Sequence, residues 1–251
     1  MIRALCARMK QGKKTIAYPK ERAVLPTLFR GYPRLPPQER CEGCGLCSAV
    51  CPTGAISYGE RLSIDMGKCL FCPECAAACP HGALSFTDDP CLAVSRRQDL
   101  IVSADGERKM ARALEQQALK LFGRSLKLRQ VSAGGCNACE ADINVLSTVV
   151  FDLGRFGVQF VASPRHADGI LVTGPVTENM KTALLKTYEA VPPPKIVIAS
   201  GACAINGGPF VGAPNVHDGV DGLLPVDLYI PGCPPHPITA LDGMLRLLGR
   251  L

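Results

Sequence analysis

Two stretches of the sequence, CEGCGLCSAVCP at 41–52 and CLFCPECAAACP at 69–80, share one cysteine spacing and decide the fold around them. In each stretch three cysteines are separated by two residues, and a fourth follows three residues later, directly before a proline. Thiolates at this spacing wrap around one face of an iron–sulfur cube, while the fourth cysteine of each run reaches the other cube. The two stretches therefore predict an interlocked pair of [4Fe-4S] sites.

The interlocking assigns eight of the fourteen cysteines to two clusters. The ligands predicted for the first cluster are Cys41, Cys44, Cys47 and Cys79. The ligands predicted for the second cluster are Cys69, Cys72, Cys75 and Cys51. Pro52 and Pro80 bend the chain away from each cluster. The pattern resembles that of bacterial two-cluster ferredoxins, so we expect an α+β domain of that type at residues 40–88.

Zinc and disulfide bonds are the alternative uses of these cysteines. Zinc sites pair two short cysteine knuckles across a spacer, and have no need of three evenly spaced cysteines followed by Cys-Pro. A disulfide framework requires a secreted chain, and residues 1–9 are too short and too basic to supply the apolar part of a secretory signal. Reduced, iron-bound thiols in a cytoplasmic compartment fit better.

Residues 1–39 form a basic, proline-rich arm. Residues 1–40 contain ten Lys and Arg residues but only two acidic residues, Glu21 and Glu39. The whole chain of 251 residues carries a net charge of +6, so the positive charge is concentrated in this arm. We expect an extended docking arm that contacts a partner or an anionic membrane surface, with a solvated terminus as the alternative. Nucleic acid is not indicated, because the rest of the chain is slightly acidic. No stretch of 18 or more apolar residues occurs, so no transmembrane segment is expected.

Residues 89–124 are interpreted as a linker with a connecting helix. Apolar residues recur at helical spacing between 105 and 122, and Gly123 follows as a stop signal. From residue 125 to 251, apolar strands alternate with helical segments, which predicts an open parallel α/β sheet of the flavodoxin-like type.

Four further cysteines follow strands of that sheet. Ligands gather at the carboxyl ends of parallel strands, so these residues can converge despite their separation in sequence. The predicted ligands of a third cubane are Cys136, Cys139, Cys203 and Cys233. Glu140 follows one of them directly and is a candidate for proton transfer, with capping of the next helix as the alternative. No nickel ligands are predicted, and Cys6 and Cys91 receive no role.

Longer blocks of sequence resemble known families. The blocks ASPRHAD (162–168), GPVTENM (174–180), SGAC (200–203) and PGCPP (231–235) resemble the small iron–sulfur subunit shared by respiratory complex I and membrane-bound [NiFe] hydrogenases. Residues 18–86 resemble the neighbouring ferredoxin-like subunit of complex I and formate hydrogenlyase. The chain therefore resembles a fusion of two adjacent subunits and is expected to carry three [4Fe-4S] clusters.

This resemblance implies an electron-transfer subunit whose catalytic centre lies in another chain. The implied partners are a hydrogenase large subunit of the complex I 49 kDa type, membrane ion-translocating subunits and an electron donor or acceptor protein. The implied location is peripheral, on the cytoplasmic side of the cell membrane. The motif CNAC at 136–139 resembles the hydrogenase pattern, whereas complex I subunits carry two adjacent cysteines there. We therefore favour a hydrogenase complex over a complex I-like quinone reductase or a free-standing ferredoxin-type carrier.

Overall fold

A computed structural model describes residues 2–35, 41–59, 61–104 and 106–251, without the side chain of residue 117. The predicted boundary between the arm and the ferredoxin domain, at residues 39 and 40, lies outside the described residues. The first element is helix α1 (Ile2–Gln11), all of whose residues are exposed. Residues 15–35, which we call the strap, then run over both domains of the chain and contribute strand β1 (Pro33–Arg34).

The ferredoxin part is built from short elements around the two cysteine runs. Helix α2 (Leu46–Ala49) and helix α3 (Glu74–Ala77) are single turns that lie within the runs. Strands β2 (Ile56–Tyr58) and β3 (Leu62–Asp65) pair antiparallel, and β4 (Ser85–Phe86) pairs with β1 of the strap. Strands β2 and β4 thus follow the two Cys-Pro turns.

The connecting segment differs from its prediction in two ways. Strand β5 (Ile101–Ser103) pairs with β3, so part of the expected linker completes the ferredoxin sheet. The connecting helix α4 spans only Gln116–Phe122. The residues before it run non-helically, because the amides of Ala111 and Leu114 donate to the carbonyls of Ala93 and Leu247 instead of to a helical turn. Contacts with the rest of the fold thus outweigh the helical pattern.

The second domain contains the predicted parallel sheet. Its strands are β6 (Leu126–Ser132), β7 (Val158–Phe160), β8 (Gly169–Thr173), β9 (Ile196–Ser200) and β10 (Leu228–Ile230). They lie in the order β7-β6-β8-β9-β10, and every pair is parallel. Strands β8, β9 and β10 are completely buried, as expected of a sheet covered on both faces.

Four helices accompany the sheet: α5 (Ala138–Asn144), α6 (Glu178–Ala190), α7 (Ala202–Asn206) and α8 (Pro237–Leu247). Residues 143–153 contain only the end of α5 and short 3-10 turns. The order of the strands reverses between β6 and β8, and the crevice outside the carboxyl ends of strands at such a point is where α/β folds bind ligands.

One hydrophobic core extends through both parts of the chain. Ile64 and Leu100 of the ferredoxin part belong to the same buried cluster as Val172 and Ile205 of the α/β domain. The two domains are therefore packed together rather than joined by a free linker.

Candidate iron–sulfur sites

The first ferredoxin site is a cavity between the two cysteine runs. It is lined by Cys41, Cys44 and Cys47 of the first run and by Cys79 of the second. Leu62 and Leu84 supply apolar walls, and His81 Nε2 lies 3.4 Å from the carboxylate of Glu42 at its exposed side. The fold thus brings together the four cysteines that the spacing assigned to one cluster.

The second ferredoxin site is more enclosed. Its cavity is lined by Cys69, Cys72, Cys75 and Cys51, together with Ile56 and Ile64. Burial raises the pKa of the Cys69 thiol to about 12 and that of Cys75 to about 11. Neighbouring cysteine thiolates raise both values further. Such a group of thiolates is unstable in an apolar wall unless bound cations compensate its charge.

Backbone amides point at the sulfur atoms of both ferredoxin sites. The amides of Ala55 and Ala83 donate to the sulfurs of Cys51 and Cys79 at 3.2 and 3.3 Å. The amide of Phe71 donates to Cys69 at 3.3 Å, and Phe71 holds a left-handed φ of 55°. Hydrogen bonds to the sulfurs are one of the ways in which a protein tunes a cluster's reduction potential.

The third site lies at the carboxyl ends of the central strands. Cys136 and Cys139 follow β6, Cys203 follows β9 and Cys233 follows β10. Burial, and then the charges of Cys203, Glu140, Cys233 and Cys136, raise the pKa of Cys139 far above its ordinary value. The pKa of Cys203 is raised to about 11, again first by burial.

Two glycines allow the backbone to approach these sulfurs. A Cβ atom at Gly201, whose φ is +93°, would lie 2.6 Å from the sulfur of Cys139. A Cβ atom at Gly208, whose φ is +54°, would lie 2.9 Å from the sulfur of Cys203. Both positions therefore require glycine for conformation and for space.

A cavity of about 400 Å³ separates the second and third sites. Cys72 and Cys233 both line it, as do Phe29 and Arg30 of the strap. Arg30 Nε donates to the carbonyl of Phe71 at 2.5 Å, and the Phe29 ring contacts the edge of the His236 ring at a centroid distance of 5.3 Å. The strap thus touches the loops of both cysteine sites, a role that the sequence pattern did not reveal.

Glu140 lies in the first turn of α5 and is buried. Its Oε1 accepts hydrogen bonds of 2.6 Å from the hydroxyls of Ser132 and Thr173. Burial raises the pKa of Glu140, but the two hydroxyls outweigh it and hold that pKa below its ordinary value. Ser132 and Thr173 are the last residues of β6 and β8 and lie side by side in the parallel pairing of these strands. The sequence alone therefore gave no sign that both would contact Glu140.

The two cysteines without a predicted role lie apart from the three sites. Cys6 is exposed on α1. Cys91 is half-buried near Asp89, Asp242 and Arg246, and burial raises the pKa of its thiol to about 12.

The donor sets fit iron–sulfur clusters. All twelve side chains carry soft sulfur donors, and the eight of the ferredoxin part surround two cavities. Across residues 2–35, 41–59, 61–104 and 106–251, no three His, Cys, Asp or Glu side chains converge on a position for a single metal ion. The fold and the cysteine arrangement together define an iron–sulfur protein.

Comparison with known families agrees with this class. Residues 40–83 match the 4Fe-4S dicluster domain, and residues 136–247 match the family described as NADH ubiquinone oxidoreductase, 20 Kd subunit. The chain is 43% identical over 147 residues to the probable membrane-bound hydrogenase subunit mbhJ of Pyrococcus furiosus. That match covers 59% of this chain and 88% of the relative.

Two other relatives come from different complexes. Formate hydrogenlyase subunit 7 of Escherichia coli is 44% identical over 139 residues, which is 55% of this chain and 54% of the relative. An NADH-quinone oxidoreductase subunit of Clostridium beijerinckii is 46% identical over 114 residues, which is 45% of this chain and 68% of the relative. The chain belongs to the family of the 20 Kd subunit and carries a 4Fe-4S dicluster domain in addition. Its homologues are oxidoreductase subunits of hydrogenases and of complex I.

Proposed function

We propose that this chain is the electron-transfer subunit of a membrane-associated, energy-converting [NiFe] hydrogenase complex. It holds three [4Fe-4S] clusters, two in the ferredoxin domain and one in the flavodoxin-like domain. When bound, these clusters supply one-electron transfer between an outside donor or acceptor and a nickel–iron site in a partner subunit. The implied partners are a large subunit of the complex I 49 kDa type and membrane ion-translocating subunits, reached from the cytoplasmic side of the membrane.

The placement of Cys136, Cys139, Cys203 and Cys233 after the carboxyl ends of β6, β9 and β10 carries this proposal. A ferredoxin needs only the first two sites, whereas a third site packed against them is what a subunit with a terminal electron acceptor requires. The relatives named as subunits of membrane-bound hydrogenase and formate hydrogenlyase support the same interpretation.

The protein's own groups hold and shield the proposed clusters. Cysteine sulfurs bind the iron, backbone amides stabilise the sulfur charge, and buried leucine and isoleucine side chains keep water away. The shared core between the two domains keeps the second and third sites at a fixed separation.

Cluster content tests the assignment directly. The anaerobically purified chain should contain about twelve iron and about twelve sulfide per molecule, since each cubane holds four of each. Cys203→Ser should lower both values by about a third, and Cys47→Ser should remove a ferredoxin cluster instead. An unaltered protein with about eight iron per chain would contradict the third cluster.

The Clostridium relative favours a second candidate function, that of a complex I-like quinone reductase. The identity of the large-subunit partner distinguishes the two functions. A complex purified through this chain should contain nickel and evolve hydrogen from a reduced electron donor. A nickel-free complex that reduces quinone would establish the second function, and a chain that purifies active and without partners would be a carrier.

Proton transfer by Glu140 stays a prediction. Glu140→Gln keeps the size of the side chain and one oxygen acceptor for Ser132 and Thr173, but removes the negative charge. If Glu140 carries protons, hydrogen turnover of the complex falls while the iron content stays the same. Unchanged turnover leaves only the role of anchoring α5.

A further inference from the structure

Helix α1 presents an apolar stripe that nothing in the described chain covers. Ile2, Leu5, Cys6 and Met9 follow the spacing i, i+3, i+4, i+7 and therefore share one face. Ile2, Leu5 and Met9 are 78%, 58% and 73% exposed, and no residue of α1 is buried. A helix that only extends into water has no need of such a stripe.

The charges around this stripe are all positive. At 100° per residue, Arg3 and Lys10 flank one side of the stripe and Arg8 lies on the other side. Lys13 and Lys14 follow Gly12 just after the helix, and residues 2–14 contain no acidic residue. An apolar stripe between basic flanks is complementary to a lipid surface with anionic headgroups.

The place where α1 joins the rest of the fold also favours contact with a lipid surface. The helix ends at Gln11, and the strap then begins with hydrogen bonds from Ile16 N and Thr15 Oγ1 to the carbonyls of Val150 and Val149. These two valines are 39% and 72% exposed. The chain that follows the helix therefore joins the protein beside a second exposed apolar group.

We infer that α1 lies in the surface of an anionic membrane, with its apolar stripe among the lipid chains and its basic residues at the headgroups. Ten residues span only about 15 Å, half the thickness of the hydrocarbon layer, so the helix lies along the surface. Across the described residues no helix is long and apolar enough to cross a membrane. Lipid binding by α1 goes beyond electron transfer and is independent of the cluster assignments.

Flotation of the cluster-loaded full chain with lipid vesicles tests this inference. Vesicles of phosphatidylcholine containing about one quarter phosphatidylglycerol should bind the protein, and pure phosphatidylcholine should bind it at least about tenfold more weakly. The double substitution Arg3→Gln with Lys10→Gln should reduce binding at least about tenfold, since each basic residue near the surface contributes about a factor of five. Leu5→Gln with Met9→Gln should abolish it.

Matched controls use exposed residues elsewhere. Lys120→Gln with Lys186→Gln removes the same charge from other helices and should leave vesicle binding unchanged, as should Leu121→Gln. Iron content, measured in every variant, separates a loss of lipid binding from a loss of folding or of the clusters.

A fluorescent reporter locates the contact. The chain contains no tryptophan, so Leu5→Trp introduces a single one in the stripe. Its emission should shift to shorter wavelength with anionic vesicles and not with neutral ones. Equal binding to both vesicle types, or binding without a spectral shift, would overturn the inference. A shift caused only by an added protein partner would identify α1 as a protein-docking helix and overturn it as well.

Discussion

At Gly201 the chain passes from β9 into α7 beside the sulfur of Cys139. Gly201→Ala adds a single carbon, which would lie 2.6 Å from that sulfur at a φ of +93°. We expect this variant to lose the third cluster and keep the two ferredoxin clusters, so iron per chain falls by about a third.

Gly222→Ala is the control for this prediction, because a Cβ atom there meets no atom within 4 Å. Its iron content and visible absorption should equal those of the unaltered protein. If Gly201→Ala also retains all its iron, the close approach of the backbone is not needed for the third site.

The hydroxyl of Tyr18 links the stability of the fold to pH. Its hydroxyl donates to Asp242 at 2.6 Å, and Asp242 is fully buried and also accepts from Arg246. Burial, and then the bond to Asp242, raise the pKa of Tyr18 above its ordinary value of 10.0. Its stabilising contribution is therefore complete below pH 10 and is lost as the pH rises above that value.

Tyr18→Phe should lower the free energy of unfolding by about 1–2 kcal/mol at neutral pH, because Asp242 loses a donor. Denaturant titration at pH 8 and at pH 11 should show the variant losing less stability between the two values than the unaltered protein. Tyr188→Phe, which keeps the ring beside Lys195, is the control and should change little. Equal pH dependence in Tyr18→Phe and the unaltered protein would exclude this role of Tyr18.

Among the elements, the strap has little regular structure but contacts both domains. Its backbone pairs with β4, Gly31 N donates to Thr87, and its Arg30 holds the carbonyl of Phe71 between two ligands predicted for the second cluster. Only the two residues of β1 are regular, so tertiary contacts rather than local preference place this segment.

Removing the Arg30 contact tests the importance of the strap. Arg30→Gln should weaken the loop of Cys69 and Cys72, so the second ferredoxin cluster is lost faster when oxygen is admitted, as measured by bleaching of the visible absorption. Arg22→Gln removes a charge from the same segment, but its ion pair with Asp88 is largely exposed and should contribute little. Similar bleaching rates in both variants would show that the strap does not support this site.

For the whole molecule, the important feature is that two domains share one core. Arg97 reinforces this contact, because its guanidinium binds both carboxylate oxygens of Asp65 at 2.9 and 2.7 Å and also reaches Asn206 of α7 at 3.5 Å. The bond therefore joins the ferredoxin sheet to the helix that begins beside Cys203. A planar guanidinium makes both bonds at once, and an ammonium group cannot.

Arg97→Lys should lower the free energy of unfolding by about 1–2 kcal/mol and loosen the contact between the domains. Hydrogen exchange should then speed up in α7 and β3 together. The neighbouring Arg96→Lys alters an ion pair whose guanidinium is half exposed, and should leave both measurements nearly unchanged. If Arg97→Lys accelerates exchange in only one of the two elements, the pair does not couple the domains.

The amino-acid sequence by itself predicted which cysteines line the two ferredoxin cavities, because the repeated spacing supplies three cysteines from one run and the fourth from the other. It also predicted the parallel strands, because short apolar runs that alternate with helical segments can be recognised from the pattern of hydrophobic residues. The length of α4 was predicted wrongly, because hydrogen bonds from distant carbonyls replaced the helix that the pattern favoured.

Only the tertiary structure decided which groups meet across long separations. The contact of Phe29 with His236, the bond of Tyr18 to Asp242, and the enclosure of Glu140 by Ser132 and Thr173 join residues whose positions in sequence carry no mutual signal. The same holds for the packing of the ferredoxin domain on the α/β domain. Such contacts depend on how complementary surfaces fit after each domain has formed, and no local pattern encodes that fit.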